Sequence, residues 1–513
     1  MREVVETRAG VLRGAREGGL CVFRGVRYAA APAGALRFAA PRAAPAWQGT
    51  RDALVPAPIP PQRVDPLSRR LGILGDQAQG EDCLALDLWT PGCDGARRPV
   101  LVWIPGGAFA TGAGSSPLYD GARLARRGDA VVAALSYRVG ALGFLAHPAL
   151  GPGSANRGLQ DQIAALGWLR ENAAAFGGDP ERIAVFGESA GAGSIVALLA
   201  MPAARGLFQR AIAQSAAPDG MIGADEAQCR AGLLLDRLGV AGAQPDELAK
   251  RLAELPLGAL LDAQQACIEA GPHPKGMFFL PVIDGGLLPE RPLDAIARGS
   301  AREVALVIGT TRDEMKLFQL AQPAGAAMPE ALVERILEAQ VPGTARDGRA
   351  RAAVLVEAYR GLLARRGVPV SGAELFSAIQ TDLSLAWPSA QLAAAQAAQQ
   401  PQTYLYLFSW ESPLEGGRLG ACHALDLPFT FGTLELPGAR ELAGADAAAR
   451  RLSEQLMDAW LAFARSGDPS HPGIGRWPAC SGPELATFEL GARCGVLPPD
   501  SPLLAGRAIW GAL

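Results

Sequence analysis

Nowhere do the 513 residues gather a block of like charge, and 48 basic against 51 acidic residues leave a formal net charge of -3. A basic nucleic-acid footprint is thereby excluded; the pairs Arg69–Arg70 and Arg365–Arg366 read as solvated surface. No uncharged apolar run reaches the roughly eighteen residues that a membrane-spanning helix needs. The opening MREVVETRAGVLRGA carries acidic residues early and has no apolar stretch of the kind a secretory leader requires. The eight cysteines (Cys21, Cys83, Cys93, Cys229, Cys267, Cys422, Cys480, Cys494) never form C-x-x-C or a zinc-ligand spacing. Reduced thiols in a cytosolic protein are the expectation. There is no internal repeat and no clear interdomain linker. With 49% hydrophobic and 19% charged residues, the composition is that of a globular chain with a large core.

What is present alternates between two periodicities. The start, VVETRAGVLRGAREGGLCVFRGVRYA, reads as antiparallel hairpins between glycine turns. Ala29 to Pro66 is rich in proline and alanine and reads as a long irregular surface segment. From Leu84 on, LALDLWTP, PVLVWIPG and AVVAALSYR are short apolar strands. QDQIAALGWLRENAAAF has helical spacing and stops at GGDP. RIAVFG is a strand leading into a small-residue helix near Ser189; FQRAIAQSA and EVALVIGTT are further strands. Residues from about 311 to 401 read as almost entirely helical. TYLYLFSW then returns to strand, and AARRLSEQLMDAWLAFARSG is a late helix before the short strand ELATFEL. Such alternation predicts an α/β fold, a mostly parallel sheet with helices on both faces. A single domain over 1–513, with a mainly helical insertion at about 311–401, is the simplest organisation.

Chemistry concentrates at FGESAGAGS, Phe186 to Ser194. Gly-x-Ser-x-Gly after a strand describes a strained strand-to-helix turn that lifts the hydroxyl of Ser189 above the sheet. A serine hydroxyl needs a base within reach, and the chain has only four histidines: His147, His273, His423 and His471. The first, second and fourth of these precede proline in turn-like sequence. His423 follows the strand TYLYLFSW by a loop, which can bring it to the same sheet edge as Ser189. The base in turn needs an acid. Asp313 and Glu314 both follow the strand EVALVIGTT, and spacing does not choose between them. Gly106, Gly107 and Ala108 follow the strand PVLVWIP, where backbone N–H groups can face a developing oxyanion. These glycines lack the G-K-[ST] ending and the G-x-G-x-x-G spacing of a phosphate loop.

Taken in order, FRGVRYAAAPAGALRF, EDCLALDLWTP, VWIPGGAFATGAGS, SYRVGALGFLA, the long segment through FGESAGAGS, PVIDG, GTTRDE and HALDLPFTFG closely resemble the type-B carboxylesterases of the α/β-hydrolase superfamily. That resemblance, nearly end to end, implies an α/β-hydrolase fold and ester hydrolysis through an acyl-serine, with no metal or cofactor. It implies Ser189 as nucleophile, Glu314 as acid and His423 as base. Gly107, Ala108 and Ala190 would supply the oxyanion N–H groups, and Ser215 would support the acid. Phe109, Phe278, Phe279, Leu317 and Phe318 are candidates for an apolar substrate pocket. The implied partner is a small-molecule ester, with neither nucleic acid nor membrane; the oligomeric state stays open, a monomer being plausible. Amide or carbamate hydrolysis on the same triad is the alternative chemistry, and a non-catalytic binding module the alternative class. Three departures stand out: Pro105 replaces a histidine or tyrosine, Met315 replaces a glycine, and Cys83, which pairs with an upstream cysteine in secreted relatives, has no cysteine among residues 22–82 to pair with. The last points to an intracellular, bacterial-type enzyme.

Overall fold

Strands that are apolar at every position need cover on both faces, and the sheet here has it. In the computed structural model, which describes residues 2–512 except 65, 272–276, 322–327, 341–344, 483 and 484, fifteen strands are defined. They are β1 (Arg2–Thr7), β2 (Gly10–Glu17), β3 (Leu20–Arg27), β4 (Thr50–Asp52), β5 (Ala85–Thr90), β6 (Arg98–Ile104), β7 (Val131–Leu135) and β8 (Gly178–Glu188). Then come β9 (Arg210–Gln214), β10 (Ile222–Gly223), β11 (Val282–Ile283), β12 (Ala305–Thr311), β13 (Thr403–Phe408), β14 (Thr487–Leu490) and β15 (Gly495–Val496).

Thirteen of them form one sheet, ordered β1-β2-β3-β5-β7-β6-β8-β9-β12-β13-β14-β15, with β4 beside β2. From β7 to β14 every neighbour runs parallel, while both ends are antiparallel. Alternate residues feed two cores. Val100, Val102 and Ile104 of β6 join one cluster, with Ile183, Val185, Leu306 and Ile308. Leu101 and Trp103 join the other, with Phe186, Ala305 and Val307. The helices Arg157–Asn172 and Ala190–Ala200 cover the first face through Leu159, Leu166, Leu169 and Ile195. The helix Ala447–Ser466 covers the second through Leu452, Leu456, Trp460 and Phe463.

A fully buried ion pair ties the early irregular segment to this frame. Arg138 donates to both carboxylate oxygens of Asp161 at 2.8 and 2.7 Å, and its other nitrogen donates to the carbonyls of Arg37 and Ala39. Because every guanidinium nitrogen and both carboxylate oxygens are hydrogen-bonded, the buried charge is tolerated.

One local reading is corrected, one helical region is new, and the helical reading of 311–401 gains detail. The segment 29–66 is not wholly irregular: β4 pairs parallel with β2, Val11 opposite Thr50. The three helices Ala224–Arg237, Pro245–Glu254 and Leu257–Glu269 form a helical region that periodicity did not single out. Within 311–401 the helices Glu330–Gln340, Ala345–Arg365 and Gly372–Thr381 share a small core of their own, including Val333, Leu355, Tyr359 and Ile379. That run is interrupted by a π-helical turn, Asp382–Ala386, before the helix Trp387–Ala397. No helix of the described residues is long and apolar enough to cross a membrane.

Candidate active site

Ser189 sits where β8 ends and the helix Ala190–Ala200 begins, with φ 55° and ψ -121°. That conformation is strained for a residue with a Cβ, and its neighbours show what holds it. A Cβ on Gly191 would lie 2.0 Å from the carbonyl oxygen of Ile104, and one on Gly187 would lie 2.8 Å from the same atom. The glycines therefore let the turn press against the end of β6. The Ser189 amide donates to the Gln214 carbonyl at 2.9 Å, locking the turn to β9.

The loop after β6 lies directly against the nucleophile, since a Cβ on Gly106 would be 3.2 Å from the Cβ of Ser189. Gly107, Ala108 and Phe109 have φ of 120°, 54° and 57°. The loop folds onto the Gly107 carbonyl, which accepts from the amides of Ala110 and Thr111 at 3.0 and 2.9 Å. Ala190 is the first residue of its helix, where an N–H has no intrahelical acceptor. The loop is pinned from outside by residues that sequence reading passed over. Tyr137 donates to the Pro105 carbonyl at 2.9 Å, and Gln62 bonds both the N–H and the carbonyl of Gly112 at 2.7 and 3.1 Å. Proline at 105 thus leaves this anchoring carbonyl in place.

His423 and Glu314 meet at 2.5 Å, Nδ1 to Oε2. The other carboxylate oxygen of Glu314 accepts from the Thr311 amide at 2.7 Å, and the His423 amide donates to the Glu314 carbonyl at 3.3 Å. Asp313 turns elsewhere: Oδ2 accepts from Ala421 N–H at 2.9 Å and from Arg312 at 2.8 Å. Of the other histidines, His147 accepts from the Ala149 amide and His471 from the Gly473 amide, both closing turns. His273 lies outside the described residues.

Two further buried carboxylates surround the imidazole. Glu188, directly before the nucleophile, places Oε1 3.1 Å from His423 Nε2, an ion-pair separation without hydrogen-bond alignment. Asp426 accepts from Gln214 Nε2 at 2.7 Å, and Trp460 donates to the same Gln214 side chain at 3.3 Å. Burial pushes Glu188 up to about 8, which the His423 charge only partly offsets, and pushes Asp426 up to about 6. For His423 burial acts downward, but Glu188 and Glu314 outweigh it and bring it to about 9. The site is therefore built to favour an imidazolium. The sequence signal for Glu188 was its place inside the GESAG run; for Asp426 it was a carboxylate three residues beyond His423.

The remaining candidates separate. Ser215 is buried with φ 53°, and its hydroxyl has no hydrogen bond to protein, so the support of the acid that the resemblance implies is not made in this structure. Phe109, Phe278, Phe279 and Leu317 are buried members of the two cores. Phe109 nonetheless approaches the elbow helix, its ring 3.4 Å from where a Cβ on Gly193 would stand. Phe318 is half exposed, and its ring centroid lies 5.4 Å from that of His423. Met315 donates its amide to the Thr381 hydroxyl at 3.3 Å.

A parallel α/β sheet with a Gly-x-Ser-x-Gly elbow and a carboxylate–imidazole pair at its edge is the architecture of a serine hydrolase of the α/β-hydrolase class. The chain belongs to the carboxylesterase family, whose profile matches residues 1–494. It is 39% identical to a para-nitrobenzyl esterase of Bacillus subtilis (strain 168), over 93% of this chain and 92% of the relative. It is 38% identical to a phenmedipham hydrolase of Pseudarthrobacter oxydans, over 96% and 95%. A carboxylesterase of Geobacillus stearothermophilus superimposes with a TM-score of 0.84 at 36% identity, covering 99% of both chains. This chain is accordingly a carboxylic-ester hydrolase acting on small-molecule esters.

Proposed function

We propose that Ser189, His423 and Glu314 perform the hydrolysis as a triad. The observation that carries this reading is the 2.5 Å contact between His423 Nδ1 and Glu314 Oε2, beside a nucleophile elbow. In the first half-reaction His423 Nε2 takes the Ser189 proton as Oγ bonds to the ester carbonyl carbon. The oxyanion formed is received by the N–H groups of Gly107, Ala108 and Ala190. Collapse breaks the bond to the alcohol, which leaves with the proton held by His423. Water then repeats the sequence on the acyl-serine and releases the acid. Glu314 holds the imidazole in the required tautomer and balances the imidazolium; Ser215 acts at a distance, its amide donating to the Gly309 carbonyl of the strand that leads to the acid. Phe109 and Phe318, close to the nucleophile and the base, line the acyl or alcohol side of the pocket, with Phe278, Phe279 and Leu317 behind them. The chain works as one domain, its triad drawn from residues 189, 314 and 423.

Para-nitrobenzyl esters are the first substrates to try, given the relative named for them. A panel of para-nitrobenzyl and p-nitrophenyl esters of increasing acyl length, run beside aryl amides and carbamates, tests the substrate class. Highest kcat/KM on esters supports it; an amide or carbamate turned over faster than every ester overturns it. A reducing, cytoplasmic setting in a bacterium is supported by eight cysteines without a disulfide and by the bacterial relatives.

A further inference from the structure

A cavity of about 590 Å³ opens behind the loop that carries Glu314. It lies between the ends of β12 and β13, the helices after Leu363, the π-helical turn and residues Ser501–Arg507. Neither Ser189, Glu314 nor His423 lines it, so it is separate from the site described above. Its size falls among cavities that hold small ligands, roughly 300–1,000 Å³.

Its wall is heavily charged, and most of that charge is already matched. Arg312 pairs with Asp313 and Glu411 at 2.8 and 2.9 Å, and Lys316 pairs with Glu374 at 3.0 Å. Glu489 accepts from the Ser409 hydroxyl and Asp382 from the Tyr359 hydroxyl, each at 2.5 Å. Of the remaining guanidinium groups Arg365 is exposed, whereas Arg366 and Arg507 are partly buried and hydrogen-bond only to neutral partners. Arg366 donates to the carbonyls of Pro502 and Leu503 at 3.0 and 3.3 Å, and Arg507 donates to the Thr487 hydroxyl at 2.7 Å. Neither forms an ion pair with a carboxylate among the described residues. Burial pulls both groups below the ordinary arginine value, and Asp382, which acts on both, offsets only part of this. A half-buried cation without an ion-pair partner, only partly balanced by Asp382, is costly to keep. Both residues line the cavity, so an anion entering it would meet this unmatched positive charge.

The rest of the wall narrows the choice of anion. Leu363, Val368, Leu405, Leu407 and Leu503 supply apolar surface, which suits a hydrocarbon body. Asp382 and Glu489 also face the cavity, and they would repel a dianion more than a monoanion. We propose that this cavity binds a small apolar monocarboxylate, its carboxylate received by Arg366 and Arg507 and its chain by Leu363, Val368 and Leu503. This site is additional to the ester-hydrolysing one, and its ligand need not be a substrate.

The test uses the full enzyme with Ser189 blocked by a phosphonate, so that an acid cannot be held at the nucleophile. Labelling is checked first by mass, which keeps a failure of the triad reading distinct from a failure of this one. Sodium octanoate and inorganic phosphate are then titrated by calorimetry. Octanoate is expected to saturate one site and phosphate to bind more weakly. Replacing both arginines, Arg366→Gln with Arg507→Gln, should weaken octanoate binding roughly tenfold or more, as loss of charge-assisted hydrogen bonds does, while kcat of the unblocked variant is retained. In the wild-type protein, octanoate should shield Arg366 and Arg507 from phenylglyoxal, as read by peptide mapping. No saturable octanoate binding, equal affinity in the double variant, tighter binding of phosphate, or unshielded arginines would each overturn the proposal.

Discussion

Asp313 and Glu314 are adjacent in sequence and answer different partners, Arg312 and Ala421 for the first, His423 for the second. Replacing the acid by its amide keeps the shape but removes the charge that balances the imidazolium. Glu314→Gln should therefore lower kcat by roughly 10⁴-fold, whereas Asp313→Asn, which disturbs only a loop contact, should cost far less. Steady-state kinetics on one activated ester, with circular dichroism for folding, decides; a dead Asp313→Asn beside an active Glu314→Gln reverses the assignment. Glu188 offers a second test. Its carboxylate raises the His423 pKa, and hydrolysis needs the neutral imidazole. Removing the anion in Glu188→Gln should lower that pKa and move the acid limb of the kcat/KM profile to lower pH; a move to higher pH contradicts the electrostatics. Ser189 and His423 stood out as candidates because each follows a strand and histidine is scarce, whereas the choice of Glu314 over Asp313 came only from the family resemblance. Glu188 and Asp426 did not stand out, since a carboxylate in a short motif gives no sign that it is buried against the base until β8, β9 and the His423 loop are assembled.

At the scale of elements, the elbow depends on two backbones touching. A methyl group on Gly191 would meet the Ile104 carbonyl at 2.0 Å, and neither β6 nor the helix Ala190–Ala200 can retreat from a filled core. Gly191→Ala should thus cut both thermal stability and activity sharply. Gly167, within the helix Arg157–Asn172, has open space where its Cβ would be. Gly167→Ala should raise stability by about 1 kcal/mol through helix propensity. Melting curves of the two variants test the contrast, and equal effects would contradict it. The apolar strands and the long helices could be read from periodicity, because a buried parallel strand and an amphipathic helix differ in period. The strand β4 could not: three exposed residues, Thr50 to Asp52, carry no pattern of their own and are ordered by pairing with β2. The π-helical turn at Asp382 was equally hidden, because one added residue per turn leaves composition unchanged.

Across the whole molecule, one sheet divides two cores and brings residues 189, 314 and 423 to one edge. None of the eight cysteines is in a disulfide, and burial raises the thiols of Cys21, Cys93 and Cys422. Chain topology and packing, not cross-links, then hold the fold, so dithiothreitol should leave the melting temperature unchanged; a fall of several degrees would reveal a structural disulfide.

Every step of the proposed hydrolysis passes through Ser189 as the one activated nucleophile. This is tested by reacting the enzyme with a fluorophosphonate and mapping the adduct by mass spectrometry, with residual esterase activity followed in parallel. The expected result is a single adduct on the Ser189 peptide, loss of activity in proportion to labelling, and no labelling of Ser189→Ala. An adduct on another serine that tracks the loss of activity, or full hydrolysis by Ser189→Ala, would contradict it.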